Sequence, residues 1–506
     1  MKTVKVFSLL LAWVFVLGAA GPPQAFSQQG QNNLWMGGFE PVSPPPWGGV
    51  DLQFLGGSLE VSTMDREISY YRTNANITDA GGQLLFSTNG AYLANATGEQ
   101  MLNGGDLNPS SYTSQYPEGL HLSQGCLVLP RPDHPGIYYL FHGTIDDQSN
   151  ASGQYLYLTI IDTSLDTDRG GVVSKNEILI HDTLNSGKIT AVRHANGRDW
   201  WVFCHKQETN RYYRLLVTPE GISVDGMQSI GVSRSADVGQ VCFSPDGHRF
   251  AYYWPGPRGL EIFDFDRCTG LFSNPIHIPT VSTGAASGVA FSPNGRLLYV
   301  SSSNEVCQFD TEAPDVAASL VVVAVWDGFY SPSPPFATRF DLAQLAPDGK
   351  IYIGTGNGTL HLHVIHNPDE PGLACNLEQH GVELPRYFMN SLPNHPNYHL
   401  GAVAGSVCDS LGINTLTPAL SQGEGEMRAF PNPSADGHFV LGYPAHAGVG
   451  WLEVRDIAGR VVLHERIPQW STVHAVELLG QAAGMYNCTL RWGRQVLTTR
   501  VILTEP

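Results

Sequence analysis

Arg193 and His194 are the adjacent residues whose chemistry best suits a binding site. An arginine offers a planar fork of N–H donors, and a histidine exchanges a proton near neutral pH. The pair ends a presumed strand just before Asn196-Gly197, at one rim of a sheet. Two interpretations stay open: contact with an anionic or sugar ligand, or hydrogen bonding within the sheet, the usual state of buried polar groups.

No catalytic constellation is recognisable in the sequence. It has no GxSxG elbow, HExxH pair, Walker loop or GxGxxG fingerprint. His361, His363 and His366 could suggest metal ligands, but the first two would share one strand face and the third would lie on the other. We therefore predict surface histidines, no catalytic residue, no metal site and no cofactor.

Eight cysteines occur, and none forms a CxxC pair. Cys375 and Cys408 both lie in irregular sequence rich in Pro and Gly, and they are the predicted disulfide. Most of the others are interpreted as buried free thiols, because free Cys is often buried. Trp200 and Trp201 could stack on sugar rings, but packing between sheets explains them more simply.

The elements that must position these residues recur along the chain. Segments 243–253, 291–300 and 345–353 each show a strand, a Pro-Asp-Gly or Pro-Asn-Gly turn and a second strand. Degenerate copies extend the series upstream, roughly one in every fifty residues, which is the period of a four-stranded propeller blade. We predict an all-β chain with a propeller over residues 33–410 and favour seven blades. The seventh would combine residues 398–407 with a strand near 50–61.

The amino terminus is typical of a secretory signal peptide. Lys2 and Lys5 precede an apolar run that is too short to span a bilayer, and small residues follow it. We predict a leader over residues 1–27, with cleavage after Ser27 or, alternatively, after Ala20. No membrane span is expected in the mature chain.

The charge is unevenly distributed. The formal net charge is −18 for the whole chain, whereas residues 427–506 contain seven Arg and six acidic residues. The part between the leader and residue 427 is therefore strongly acidic and would repel phosphate backbones. Nucleic acid is not an expected partner.

Residues 411–426 are predicted to be a linker, and residues 427–506 a small Ig-like β-sandwich. This last unit resembles the C-terminal sorting domain of type IX secretion cargo, which is found in Bacteroidota. The resemblance rests on seven residues and their spacing: Pro431, Asn432, Pro433, Gly437, Gly459, Gly484 and Tyr486.

The resemblance implies an export route. Such cargo crosses the outer membrane when the type IX secretion machinery recognises the sorting domain, and many cargoes are then attached to surface lipopolysaccharide. The body resembles WD40-like or TolB-like propellers that accompany such domains, for example in residues 391–401. The expected protein is a secreted or surface-attached binding module for a glycan or protein. An extracellular carbohydrate lyase or hydrolase is the alternative.

Overall fold

The computed structural model describes residues 30–504 except 256–257, 280–286, 332–335, 390, 410–426, 431–433, 435–436, 444–445, 447, 470–472, 479 and 494. The predicted leader and linker lie outside the described residues. The chain divides into two compact units, Met1–Asp409 and Ser410–Pro506. Each is described by itself.

The described part of the first unit contains six antiparallel sheets. One of them has eight strands and is divided here into two blades, so that seven blades are numbered in chain order. Blade 1 contains β1 (Leu34–Phe39), β2 (Gly48–Leu55) and β3 (Ser58–Met64). Blade 2 contains β4 (Ala75–Thr78), β5 (Leu84–Thr88) and β6 (Leu93–Asn95). Blade 3 contains β7 (Cys126–Pro130), β8 (Ile137–His142), β9 (Ser152–Asp162) and β10 (Gly171–Asn185).

Four further blades follow, and each has four strands. Blade 4 contains β11 (Thr190–Arg193), β12 (Trp200–Lys206), β13 (Thr209–Thr218) and β14 (Gly221–Arg234). Blade 5 contains β15 (Gln240–Phe243), β16 (Arg249–Tyr253), β17 (Leu260–Asp266) and β18 (Leu271–Ile278). Blade 6 contains β19 (Ser287–Phe291), β20 (Leu297–Ser302), β21 (Glu305–Asp310) and β22 (Val321–Val325). Blade 7 contains β23 (Phe340–Leu345), β24 (Ile351–Thr355), β25 (Thr359–Ile365) and β26 (Leu377–Phe388).

Short helices account for the remaining regular structure among the described residues of this unit. Two are α-helical, α1 (Ser111–Gln115) and α2 (Leu165–Asp168), and two are 3₁₀ turns, Ala317–Ser319 and Gly372–Cys375. Among the described residues, the chain has no helix with the length and apolar character needed to cross a membrane.

The repeated turns explain why the blades form. Gly247 follows Asp246 with φ = 74° and Gly295 follows Asn294 with φ = 75°, a left-handed conformation in which glycine carries no steric penalty. Each turn joins the innermost strand of its blade to the next strand in register, as in the β15–β16 pairing of Phe243 with Phe250. The local sequence thus sets both the turn and the pairing.

Seven apolar interfaces close the blades into a ring. Buried side chains join every consecutive pair of blades from 1 to 7. The last interface joins blade 7 to blade 1, where Tyr352 and Leu362 pack on Trp35 and Phe54. Because every blade buries both faces, no sheet face of the ring is left without a neighbour. The prediction of a propeller with seven blades is confirmed.

Residues 391–403, here called the return segment, follow the last blade into the ring. The Asn394 side chain donates to the carbonyls of Cys126 (2.9 Å) and Ile189 (2.8 Å), and the Tyr398 hydroxyl donates to that of Val128 (2.9 Å). The expectation of a blade strand over 398–407 is wrong, because these residues form no strand and blade 1 is entirely N-terminal. Amide side chains hold the segment instead, and Pro393 and Pro396 lack the N–H groups that a strand needs.

The disulfide joins Cys268 to Cys408, with the Cα atoms 5.7 Å apart. The predicted Cys375–Cys408 pair is therefore wrong. Cys375 is a buried free thiol in a 3₁₀ turn of blade 7. Cys408 lies beyond the return segment, which has already reached blade 5, where Arg267 donates to the Gly401 carbonyl. The path of the segment, which the sequence does not show, decides the partner.

The second unit is a sandwich of two sheets. One sheet has the order β27-β28-β31 and the other β30-β29-β32-β33, around a core that includes Leu452, Val454, Leu490 and Tyr486. The strands are β27 (Arg428–Phe430), β28 (His438–Gly442), β29 (Gly450–Arg455), β30 (Val461–Ile467), β31 (Val473–Glu477), β32 (Gly484–Trp492) and β33 (Gln495–Leu503). The predicted small Ig-like β-sandwich is confirmed.

Candidate functional site

Buried charges cross the propeller channel at the end where the inner strands begin, here called the entry face. Arg72, just before β4, donates through Nη1 to a carboxylate oxygen of Asp341 in β23 (2.9 Å). Its Nε donates to the Ser123 hydroxyl (2.7 Å) and its Nη2 to the Val238 carbonyl (3.1 Å). One guanidinium thus contacts the entries of blades 3 and 5 and the inner strand of blade 7.

A second ion pair lies at the same level. The Lys188 ammonium is 3.1 Å from a carboxylate oxygen of Asp237, and both side chains are almost completely buried. Burial lowers the pKa of Lys188, although Asp237 counteracts it. The Tyr252 hydroxyl donates to the other oxygen of Asp237 (2.8 Å). These charged groups neutralise one another and are not directed at an external molecule.

A cavity of about 270 Å³ lies within the ring between the inner strands of blades 4 to 7 and the return segment. Its walls are mainly valine, alanine, phenylalanine and proline side chains. Apart from histidine, Asp348 is the one acidic or basic residue among the described residues that line the cavity. Its carboxylate accepts a hydrogen bond from the Tyr352 hydroxyl (2.8 Å). The cavity is therefore largely neutral.

Arg193 and His194 stand at the opposite rim from the entry face and are engaged within the protein. The Arg193 guanidinium lies 4.0 Å from the Trp200 ring and donates to the carbonyls of Arg198 and Tyr398. His194 is buried, and its Nε2 is 3.1 Å from the Cys268 carbonyl. The observed contacts agree with the alternative interpretation, in which the pair forms hydrogen bonds within the ring. Ligand binding by Arg193 and His194 stays a prediction.

A row of aromatic rings, here called the aromatic row, runs across the entry face from blade 7 over blade 1 to the loop between blades 2 and 3. Consecutive ring centroids are 4.8–5.5 Å apart along the row. The rings belong to Tyr387, Trp47, Phe39, Tyr71, His121, Tyr116 and Tyr112. Trp47, Tyr71, His121, Tyr116 and Tyr112 are half-buried, so their rings keep part of their surface in solvent.

Three loops and two strand ends supply the row, and the strand ends hold Phe39 in β1 and Tyr387 in β26. Trp47 ends the β1–β2 loop, and its carbonyl accepts from Arg386 of blade 7. Tyr71 directly precedes Arg72, whose contacts across the channel fix this backbone. Tyr116 follows α1, which begins at the Ser110 cap, where the hydroxyl accepts from the Thr113 N–H (3.0 Å). A rigid ring thus holds side chains that come from distant parts of the chain.

The electrostatics of the row favour a neutral ligand. Burial raises the pKa of Tyr71, and the carboxylates of Glu40 and Glu118 raise it further. Burial lowers the pKa of His121, helped by the nearby Arg72 charge, which favours the neutral form of this ring. Flanking carboxylates would repel an anion, whereas the apolar faces of neutral sugars suit stacked aromatic rings.

The aromatic residues that the sequence suggested for stacking on sugar rings lie elsewhere in the propeller. Trp200 and Trp201 are buried in the cores between blades, as the packing interpretation expected. The aromatic row was missed because its residues are scattered between positions 39 and 387. The one local signal is the spacing of Tyr112 and Tyr116, which places both on one side of α1.

The described residues of the predicted sorting motif occupy turns, strand starts and the core of the second unit. Gly437 and Gly459 have φ values of 80° and 79°. Gly484 begins β32, and Tyr486 is buried with its hydroxyl donating to the Ala482 carbonyl (2.7 Å). Pro431, Asn432 and Pro433 lie outside the described residues.

Comparisons with known proteins concern the fold alone. No family model and no curated protein matches the sequence. The chain is similar to a protein of Bacteroides uniformis named as a 6-phosphogluconolactonase (15% identity, 71% of this chain and 98% of that one, TM-score 0.42). It is also similar to the periplasmic gluconolactonase of Pseudomonas aeruginosa (14%, 72% and 98%, TM-score 0.41) and to the Dos1 propeller (12%, 71% and 86%, TM-score 0.36). The chain is a β-propeller followed by a small β-sandwich, and the activities named for these structures are theirs.

Proposed function

We propose that this chain is an exported binding protein whose propeller holds a neutral glycan on the aromatic row. The observation that carries the proposal is the unbroken series of rings at the entry face, with five of its seven members half-buried. Tyr and Trp give large rigid contact areas with little loss of conformational entropy on binding. A rigid ring beneath them makes the surface pre-organised.

The same geometry favours binding over catalysis. A hydrolase or lyase needs acidic or basic groups that can reach the substrate with suitable pKa values. Near the channel, Asp341 and Asp237 are buried against Arg72 and Lys188. The carboxylate of Asp348 at the cavity accepts from Tyr352. These groups act within the protein, so we assign them to stability.

A glycan array probed with residues 28–506 tests this proposal. We expect neutral polysaccharides or oligosaccharides to bind and anionic ones to bind less, because the carboxylates of Glu40 and Glu118 flank the row. The same compounds are incubated with the protein and analysed for shortened chains. Depolymerisation of a bound polysaccharide would favour the enzyme, and an array without any bound glycan would remove the glycan proposal.

We also propose that the second unit directs export through a type IX secretion system to the cell surface or medium. Support comes from the spacing of the motif residues and from the compact sandwich that carries them. Attachment to surface lipopolysaccharide after removal of this unit is part of the same proposal.

Deletion of residues 427–506 tests the export proposal in a bacterium that has such a system. We expect the shortened protein to accumulate in the periplasm, because the feature that the machinery recognises is gone. Fractionation followed by immunoblotting measures this, with the full chain as control. Normal surface delivery of the shortened chain would contradict the proposal.

A further inference from the structure

The sheet β30-β29-β32-β33 exposes one broad face, here called the arginine face. Trp451, the second residue of β29, lies near one end of this face and is 48% exposed. In the register of the sheet, Trp451 is opposite Arg466 of β30 on one side and Arg491 of β32 on the other. Both arginines are exposed. The Trp451 ring stacks on His464 with the centroids 5.2 Å apart and the planes 5° from parallel.

The charge of this face is positive. Arg455 and Arg500 point to the same side, in register with Asn487 between them. Among the described residues of these strands, Glu453 is the acidic residue on this side of the sheet. It forms an ion pair with Arg455 at 2.8 Å. Four arginines thus face one carboxylate, in a chain whose formal net charge is −18.

Apolar side chains surround the charges. Met485 and Ile502 are paired across β32 and β33 and are 40% and 44% exposed, and Val496 is 41% exposed opposite Arg491. Exposed tryptophan, methionine and arginine together are the residues enriched at protein interfaces. The other sheet presents a different outer face in β28 and β31, where His438 lies 3.8 Å from the exposed Glu477.

Apart from histidine, every basic residue of this unit is an arginine. Residues 427–506 contain seven arginines and no lysine. Arginine forms paired hydrogen bonds with carboxylates and is less strongly hydrated than lysine, whereas lysine is depleted at protein interfaces. A surface that only had to stay soluble could use lysine equally well.

We propose that the arginine face is the docking surface for an acidic protein of the export machinery. This inference rests on the proposed export function and adds the surface and the charge of the partner. Charge complementarity selects an acidic partner. The exposed apolar side chains of Trp451, Met485 and Ile502 on this face favour a protein over a diffuse polyanion, since interface cores combine aromatic and apolar contacts with arginine.

The test uses the full chain with Arg466→Gln and Arg491→Gln combined. We expect the exported fraction to fall about tenfold with periplasmic accumulation, because losing two charge-assisted contacts costs roughly 1.4 kcal/mol of binding. The matched control combines Arg169→Gln and Arg211→Gln at two exposed positions of the first unit, which shifts the net charge equally and leaves the arginine face unchanged. We expect the control to be exported normally.

Three outcomes separate the two proposals. If deletion of 427–506 blocks export while the arginine variant is exported normally, the docking surface is wrong and the export proposal stands. If the deletion does not block export, the export proposal fails. If the control variant is retained as strongly as the arginine variant, net charge and not this face is responsible, and the docking surface is again wrong.

Crosslinking identifies the partner directly. A photoreactive residue is placed at Trp451 and, as control, at Ile457 in the β29–β30 turn, which is 80% exposed. We expect a crosslink to an acidic protein from position 451 that weakens in the arginine variant. A crosslink to polysaccharide alone, or equal protein crosslinks from both positions, would overturn the proposal.

Discussion

Asp341→Asn should destabilise the propeller more than any exposed substitution, by about 3–5 kcal/mol. The Asp341 side chain is completely buried and accepts from both Arg72 and the Ser287 N–H. Removing the charge of Asp341 leaves the Arg72 guanidinium buried without a counter-ion. A single buried charge destabilises the folded state more than a site without any charge would. Denaturant unfolding of the wild type and variant measures the difference.

Asp310→Asn is the matched control. Asp310 pairs with Arg296, whose side chain is 54% exposed, and solvent screens such pairs. We expect a change below about 1 kcal/mol. Equal losses in the two variants would mean that the charge crossing the channel does not stabilise the ring. A double variant with Arg72→Met should recover part of the loss in Asp341→Asn, since no unpaired charge then remains.

The propeller should lose stability steeply below pH 6.5. Burial lowers the pKa of His142, His205 and His363 to about 3 in each case. In the unfolded chain these groups titrate near their ordinary value of about 6.5. Between these values the unfolded chain binds more protons than the folded one, so the free energy of unfolding falls as the pH falls.

The size of this effect follows from linkage. Each of the three histidines lowers the free energy of unfolding by about 1.4 kcal/mol for every pH unit below about pH 6.5, until the pH reaches the pKa of that histidine in the folded state. Denaturant unfolding at pH 7, 6 and 5 measures the slope. His205→Phe should reduce the slope by about 1.4 kcal/mol per pH unit at little cost at pH 7, because neither ring nitrogen of His205 has a hydrogen-bond partner among the described residues. His134→Phe at an exposed position is the control, and an equal slope in both variants would contradict the assignment.

The repeat period and the turn chemistry were sufficient to predict the ring. The Pro-Asp-Gly and Pro-Asn-Gly turns set local pairing, and their recurrence set the blade. The hydrogen bonds that hold the return segment in the ring were not predictable, because the Asn394 side chain donates to carbonyls that lie more than two hundred residues away in sequence. The wrong disulfide follows from that, since the path of the return segment brings Cys408, which lies beyond it, next to Cys268.

The histidines show a second limit of sequence reasoning. His361 and His363 share one strand, and both were predicted to be at the surface, yet His363 is completely buried against Phe340. Alternation along a strand tells which residues share a face but not whether a neighbouring blade covers it. The aromatic row was hidden for the same reason, since its loops meet only when the ring closes.

The affinity of the Tyr71→Ala variant for a glycan found on the array tests the central claim most directly. Tyr71 joins the two halves of the aromatic row, and Tyr330, 52% exposed outside it, gives the control Tyr330→Ala. Calorimetric titration should show a dissociation constant raised roughly tenfold or more for Tyr71→Ala and unchanged for Tyr330→Ala. Unchanged affinity in Tyr71→Ala, with the fold intact, would contradict the account.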